Sequence, residues 1–397
     1  MSAKFFDMVS AEQRPMLRFL IVQTTASVVG LQCWMILFNN FAVESAGLNG
    51  LQIGIIGSMR EIPGFLALLA IFVLLLIREH KLSALSIICL GIGIGLTGVF
   101  PSFTGLVITT LIMSFGFHYY ETTNQSLTLQ YFDTVTSPLV FGRLRSLAAA
   151  TSIGVGLLLF LLGLVCSYEV MFLAVGSLIL AAGLWGLQQD PTHTRVPPQH
   201  RKMIFRKKYA LYYFLTFMAG ARRQIFIAFS VYLLVEVFHC TLTEITLLFV
   251  VNNAVNYLLS PRIGRAIVRF GERKVLSLEY AGLIAIFMVY AFSGSKIVVI
   301  LMYILDHILF NFAIAIRTYF QKVADPQDIA PSMAVGFTIN HVAAVVMPAI
   351  GGALWLVDYR IPFIFGALLA LVSLLAVQRI PQFSDPDLKG SASALGT

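Results

Sequence analysis

Two adjacent arginines, Arg222 and Arg223, stand in the middle of a long apolar stretch, LYYFLTFMAGARRQIFIAFSVYLLV. A guanidinium keeps its charge at any ordinary pH, and its planar fork takes a carboxylate or phosphate through two parallel hydrogen bonds. Adjacent helical residues point about 100° apart, so both can border one cavity without sharing a face. The chemistry this predicts is reception of an anionic group by at least one of them. The competing reading is an internal ion pair with Glu61, Glu121 or Asp306.

A second constellation lies in Phe117-His118-Tyr119-Tyr120-Glu121-Thr122-Thr123-Asn124-Gln125. His118, Glu121 and Gln125 recur at helical spacing and share a face. A carboxylate beside an imidazole can pass a proton in the physiological range, so Glu121 and His118 lead the candidates for proton coupling. Asp306 follows, with His307 beside it, and Glu61 is a further candidate. Arg60 and Pro63 flank Glu61, and the proline predicts a kink because it leaves a carbonyl one turn earlier without its helical partner. Asn252, Asn256, Asn311, Asn340 and His341 are polar groups suited to holding a solute. His118, Glu121, Asp306, His307 and His341 could also ligate a transition metal. Two nearby arginines oppose a bare divalent cation, though they favour a metal chelated by an anionic carrier. Trp34, Tyr119, Tyr120 and Phe226 are read as packing.

These residues need elements to hold them, and the composition says which. Of 397 residues, 58% are apolar and 12% charged, and the mean hydropathy is +0.86. A soluble domain carries about twice that share of charge. Hydrocarbon tolerates only closed hydrogen-bonded structures, and about 20 apolar residues make one spanning helix. Twelve spans are predicted, near 17–42, 51–77, 82–101, 105–131, 144–166, 170–188, 209–237, 243–261, 275–294, 297–322, 331–356 and 361–379. An ionisable group inside such a span costs several kcal/mol unless it is paired or lines an aqueous cavity, so each one marks function by default.

The net charge of +8 does not point to nucleic acid, because the basic residues sit between spans on alternate connections. Arg78 and Lys81, Arg143 and Arg145, the group from Arg195 to Lys208, the group from Arg262 to Lys274, and Arg317 and Lys322 all fall on one side. The opposite side keeps Lys296 and Arg360. That asymmetry predicts both termini in the cytoplasm. Residues 189–208, with three prolines, read as a cytoplasmic linker between two halves. The expected organisation is a cytoplasmic N-terminus over 1–16, a six-helix bundle over 17–188, the linker, a second bundle over 209–380, and a cytoplasmic tail over 381–397. The first fourteen residues are polar and lack the apolar core of a cleavable signal, so the first span is expected to remain as an anchor. Four scattered cysteines are expected as free thiols.

One loop carries a motif. Gly264-Arg265-Ala266-Ile267-Val268-Arg269-Phe270-Gly271-Glu272-Arg273-Lys274 keeps two glycines and a basic frame, with Val268 where an acid is expected and Glu272 where a base is. An eroded copy follows the second span at Ile77-Arg78-Glu79-His80-Lys81. With twelve spans and a central linker, the chain resembles the major facilitator superfamily, without assignment to a subfamily. The resemblance implies an all-α membrane fold of two pseudo-symmetric six-helix bundles, a central solute site, and gating roles for Gly264, Arg269 and Gly271 beside Arg60 and Pro63. It also implies a monomer.

No phosphate-binding loop of the ATPase type occurs, so gradient coupling is the expected energy source. The expected function is secondary active transport of a small organic anion or zwitterion by alternating access, coupled to protons or to sodium, in a bacterial inner membrane. No cofactor and no catalytic residue are expected. The alternatives are transport of a transition metal or its anionic chelate, broad-specificity efflux, a non-transporting receptor, and a membrane-embedded enzyme. The last lacks a nucleophile with a positioned base.

Overall fold

A computed structural model describes residues 9–381 apart from 49, 75, 193–195, 198, 200–203 and 241. The tail expected from 382 onward, the first eight residues and much of the linker lie outside the described residues. The described chain is helical and forms twelve rods. These are α1 (Arg14–Glu44), α2 (50–73), α3 (Glu79–Thr97), α4 (Phe103–Tyr131), α5 (Thr136–Leu162), α6 (Tyr168–Gln188), α7 (210–236), α8 (Leu242–Phe270), α9 (Glu272–Phe292), α10 (Lys296–Val323), α11 (Ile329–Trp355) and α12 (Arg360–Val377). Eight of them, α1, α3 to α6, α9, α10 and α12, are long and apolar enough to cross a bilayer by length and composition. The other four carry Arg60 and Glu61, Arg222 and Arg223, Asn252 and Asn256, and Asn340 and His341, whereas His118 and Glu121 lie on α4 and Asp306, His307 and Asn311 on α10.

Side chains are distributed the reverse of a soluble protein. Leu157, Phe160, Leu178, Leu278 and Leu375 are exposed on the rods, while Gln23, Thr97, Thr110, Thr128, Ser260 and Thr318 are completely buried or nearly so. Hydrocarbon accepts the first group, and helix backbones satisfy much of the second. Thr97 and Thr128 donate to carbonyls one turn earlier at 2.8 Å. Ser102 and Ser167 cap α4 and α6 through side-chain oxygens, answering backbone amides that a helix start leaves unbonded.

Two rods differ in extent from the hydropathy reading. α5 begins at Thr136 rather than 144, and α8 runs to Phe270 rather than 261. The extra turns carry Arg143 in α5 and Arg262, Arg265 and Arg269 in α8. Hydropathy marks where the apolar run ends, and the backbone hydrogen bonds continue past it.

The chain divides into two compact units. The first contains residues 1–132, 147–204 and 325–338, and the second 133–146, 205–324 and 339–397. Each therefore holds most of one expected half together with a short piece of α5 or α11. In the first unit, α3 lies against α4 and α6 at glycine contacts. A Cβ on Gly176 of α6 would sit 2.5 Å from the Cα of Gly95 and 2.7 Å from the carbonyl of Gly91. Gly93 and Gly116 meet α4 and α3 backbone just as closely. Lipid removes the hydrophobic drive between helices, so close backbone approach through small residues supplies the attraction instead. The second unit uses the same device where Gly264 of α8 meets the Pro138 carbonyl of α5.

The two motif glycines thus have separate physical causes. Gly271 ends α8 with φ +80° and ψ 157° and has open space where a Cβ would go. That backbone region is essentially confined to glycine, and another residue there costs about 1–3 kcal/mol. Gly271→Ala is expected to lower the thermal midpoint by that strain alone, whereas Gly264→Ala acts by contact with Pro138. A Gly271→Ala midpoint equal to wild type would contradict the strain argument.

Candidate functional site

Within the second unit Arg222 is buried to 3% exposure. Its guanidinium forms an ion pair with Glu279 of α9 at 3.7 Å, donates to the Ser373 hydroxyl of α12, and lies 4.3 Å from the centre of the Tyr280 ring. Asp306 of α10 is buried to 2% and accepts a long bond of 3.5 Å from the Tyr290 hydroxyl. The internal partner of Arg222 is thus Glu279, which the sequence reasoning did not single out. Glu279 lies close to the expected end of its span, where a sequence alone places it within reach of water.

Arg223, the next residue, is half-buried. Directly after it the helix passes through a π turn, Phe226–Ser230. Such turns insert a residue into the helical ladder and re-aim the side chains that follow, often at functional positions. Phe226 then meets Tyr303 at 5.3 Å and the His307 ring edge at 5.5 Å.

A second polar group in this unit joins three rods. Arg145 of α5 is exposed and donates to the Asn311 side-chain oxygen at 2.9 Å. Asn311 in turn donates to Asn256 of α8 at 2.6 Å and to the His307 carbonyl at 3.0 Å. Asn252, one turn from Asn256, is 1% exposed, and neither its amide oxygen nor its nitrogen makes a hydrogen bond. Asn340 of α11 donates to the Thr216 carbonyl of α7 at 3.2 Å, where Gly220 admits it, and His341 is buried. Arg145 was counted among the connection charges at the edge of the span expected over 144–166. The start of α5 at Thr136 places it about two turns inside the helix.

The second-unit face of the motif is also bonded internally. Glu272 pairs with Lys322 at 2.9 Å, which accounts for an acid where the motif has a base. Arg269 lies over the Phe270 ring at 5.3 Å.

In the first unit, Arg60 and Glu61 pair with each other at 2.8 Å, both half-buried, and Arg60 lies 5.2 Å from the Trp34 ring. Pro63 sits inside α2, which passes through a 3-10 turn at Leu66–Leu69. The disturbed backbone is answered by side chains. Ser114 donates to the Arg60 carbonyl, Tyr119 to the Leu66 carbonyl at 3.3 Å, and the Leu68 amide to Thr338 at 2.9 Å. Neighbouring hydroxyls commonly rescue a proline-broken span in this way. His118 is buried, with its ring edge-on to Phe117 and Phe337. Glu121 accepts from Gln125 at 2.7 Å, the expected one-turn pair.

The eroded motif copy closes the end of α6. Arg78 meets Asp190 at 3.3 Å, and Lys81 donates to the Leu187 and Gln189 carbonyls. Cations suit the carbonyls that a helix end leaves over. Asp190 lies outside the spans. A hydrogen bond from the Thr192 side chain, aided by the charges of His80 and Arg78, holds its carboxyl below the usual range. Its contribution to stability is therefore present above the ordinary aspartate range and lost on acidification through the lowered one.

Apolar rods carrying buried charges and amides define a polytopic membrane protein. The model of the Major Facilitator Superfamily matches residues 20–327 and 212–394, and the chain belongs to that family. No curated protein sequence matches significantly. Solved structures share its fold. The human organic anion transporter MFSD10 (TETRAN) superposes with a TM-score of 0.74 at 11% identity, covering 93% of this chain and 100% of that one. The E. coli fucose:proton symporter FucP gives 0.73 at 12%, covering 92% and 98%. A bacterial homologue of the iron transporter ferroportin gives 0.69 at 15%, covering 91% and 98%. The chain is accordingly an all-α, multi-pass transporter of the family, with the twelve spans expected from hydropathy. The solutes of these neighbours differ, so the shared fold does not name one.

Proposed function

We propose that the chain is a proton-coupled secondary transporter of a small organic anion or zwitterion, working by alternating access as a monomer. We place it in a bacterial inner membrane with both termini in the cytoplasm. The observation that supports the anion is the exposed Arg145 guanidinium bonded to Asn311, beside Asn256 and the unbonded amide of Asn252. Arg223 supplies the second cation of the same unit. This reading moves solute contact away from Arg222, whose guanidinium is engaged by Glu279, Ser373 and Tyr280. Asn340 and His341 line the same unit as secondary contacts, and Glu61, His118, Glu121, Asp306 and His307 remain the candidates that couple protons.

The test is a thermal-stability screen of purified protein against organic anions, organic cations, free divalent metals and metal chelates. A ligand at about 100 times its Kd stabilises the folded state by about 2.7 kcal/mol. Organic anions should raise the midpoint of wild type, and Arg145→Ala and Arg223→Ala should lose that rise while keeping the unliganded midpoint. Stabilisation by free metal or by organic cations, unchanged in both variants, would refute the anion reading. The metal alternative drew its ligands from both units, and the free-metal arm tests it.

A further inference from the structure

Two layers of hydrogen-bonding groups follow one another between α8 and α10. The rods run side by side in the same direction. Glu244 at the start of α8 pairs with Lys296 at the start of α10 at 2.8 Å. About three turns on, Asn256 accepts from Asn311 at 2.6 Å. That contact is the first layer, in which Asn311 also donates to the His307 carbonyl and accepts from Arg145. One turn nearer the starts of both rods stand Asn252 on α8 and His307 on α10. Residues four apart share a helix face. Asn256 turns toward α10 and Asn311 toward α8, so Asn252 and His307 turn into the same seam. Asp306, next to His307 in sequence, points about 100° away and accepts from Tyr290 of α9.

The second layer is not bonded. Asn252 is 1% exposed with neither amide atom engaged, and His307 Nδ1 is buried without a hydrogen bond. Phe226 holds the imidazole edge-on at 5.5 Å. Proteins bond nearly all their buried polar groups, and an amide left unbonded costs stability. A leucine at 252 would remove that cost, so stability gives no reason for the amide.

The chemistry of the layer points to its ligand. An amide offers donors and an acceptor together, and an imidazole nitrogen is either one according to tautomer. A hydroxyl, itself donor and acceptor, answers both. An alkyl chain would leave the layer as it stands, and an ammonium would meet the Arg145 guanidinium close by. One helical turn is about 5.4 Å, a reach that skeletons of roughly three to six carbons bracket.

We propose that the solute is a polyhydroxylated carboxylate, a hydroxy acid or sugar acid, whose carboxylate meets Arg145 and whose hydroxyls complete Asn252 and His307. This rests on the anion reading above and names the class of anion.

Thermal stabilisation of the purified full chain by matched acids tests it: glycerate against propionate, tartrate against succinate, gluconate against hexanoate. Each pair shares a carbon skeleton and differs in hydroxyls. At least one hydroxylated acid should reach half its effect at a concentration about ten- to a hundredfold below its partner, the usual worth of bonding a buried polar group. Asn252→Leu should erase that ratio and keep the response to the plain acid, with an unliganded midpoint equal to wild type or higher. His307→Phe keeps the ring against Phe226 and loses Nδ1. It should narrow the same ratio, and it carries the comparison if the leucine variant does not fold. Arg145→Ala should lose the response to both members of each pair. Pairs that stabilise wild type equally overturn the proposal and leave the anion reading standing. A hydroxyl preference unchanged in Asn252→Leu and His307→Phe does the same. If no acid of either kind stabilises wild type, the anion reading falls and the proposal falls with it.

Discussion

Arg222→Met should lower the thermal midpoint by about 10 °C at neutral pH. Removing one partner of a buried ion pair costs about 3–5 kcal/mol, because the other charge is left without compensation. In a unit of this size each kcal/mol moves the midpoint by about 2–4 °C. Methionine fills much of the arginine volume, so the loss reports charge and hydrogen bonds to Glu279 and Ser373 rather than a cavity. Arg222→Lys should fall between the two, since it keeps the charge and loses the fork that reaches both partners over the Tyr280 ring. The deficit of the methionine variant should shrink as pH is lowered, because protonating Glu279 removes the stranded charge. A midpoint unchanged at every pH would show that Arg222 has no internal partner. The anion-binding reading would then return to it.

Gly176→Leu should be the most damaging single change in the first unit. Its Cβ would fall 2.5 Å from backbone atoms of Gly95 and 2.7 Å from the Gly91 carbonyl. Those atoms belong to a helix backbone, which cannot rotate aside as a side chain does. α6 and α3 would have to separate along their whole glycine contact. Overpacking costs about 1–3 kcal/mol when neighbours can adjust, and here the expected cost is at or beyond the upper end. Gly154→Ala is the control. Nothing lies within 4 Å of its Cβ position, and alanine is the better helix former by about 1 kcal/mol. Purified yield and thermal midpoint should therefore diverge sharply between the two. Equal behaviour would mean that the glycine contact does not hold these rods together.

The rods could be read from hydropathy because hydrocarbon forces every spanning backbone to close its own hydrogen bonds. The ends of α5 and α8 could not, since turns carrying Arg143 in α5 and Arg262, Arg265 and Arg269 in α8 continue the helix past the apolar run. That difference placed Arg145, expected at the edge of its span, well inside α5, where it bonds to Asn311. The i,i+4 pair of Glu121 and Gln125 was legible, because both residues lie on one helix. The kink at Pro63 was legible as a break in α2, but not the hydroxyls of Ser114, Tyr119 and Thr338 that answer it.

The sequence by itself determined that this is a twelve-span helical membrane protein of the major facilitator superfamily, and that Arg222 is an arginine at membrane depth in need of an explanation. Composition, spacing and the side on which cations fall are properties of the chain in one dimension, and the bilayer converts them directly into spans. Only the tertiary structure decided that Arg222 meets Glu279 from α9, that Asp306 accepts from Tyr290, and that Asn252 is left with no bond. Each depends on how far a rod is rotated about its axis and which rods lie beside it. Those quantities are set by glycine contacts and side-chain packing between segments far apart in the chain, and no local pattern encodes them.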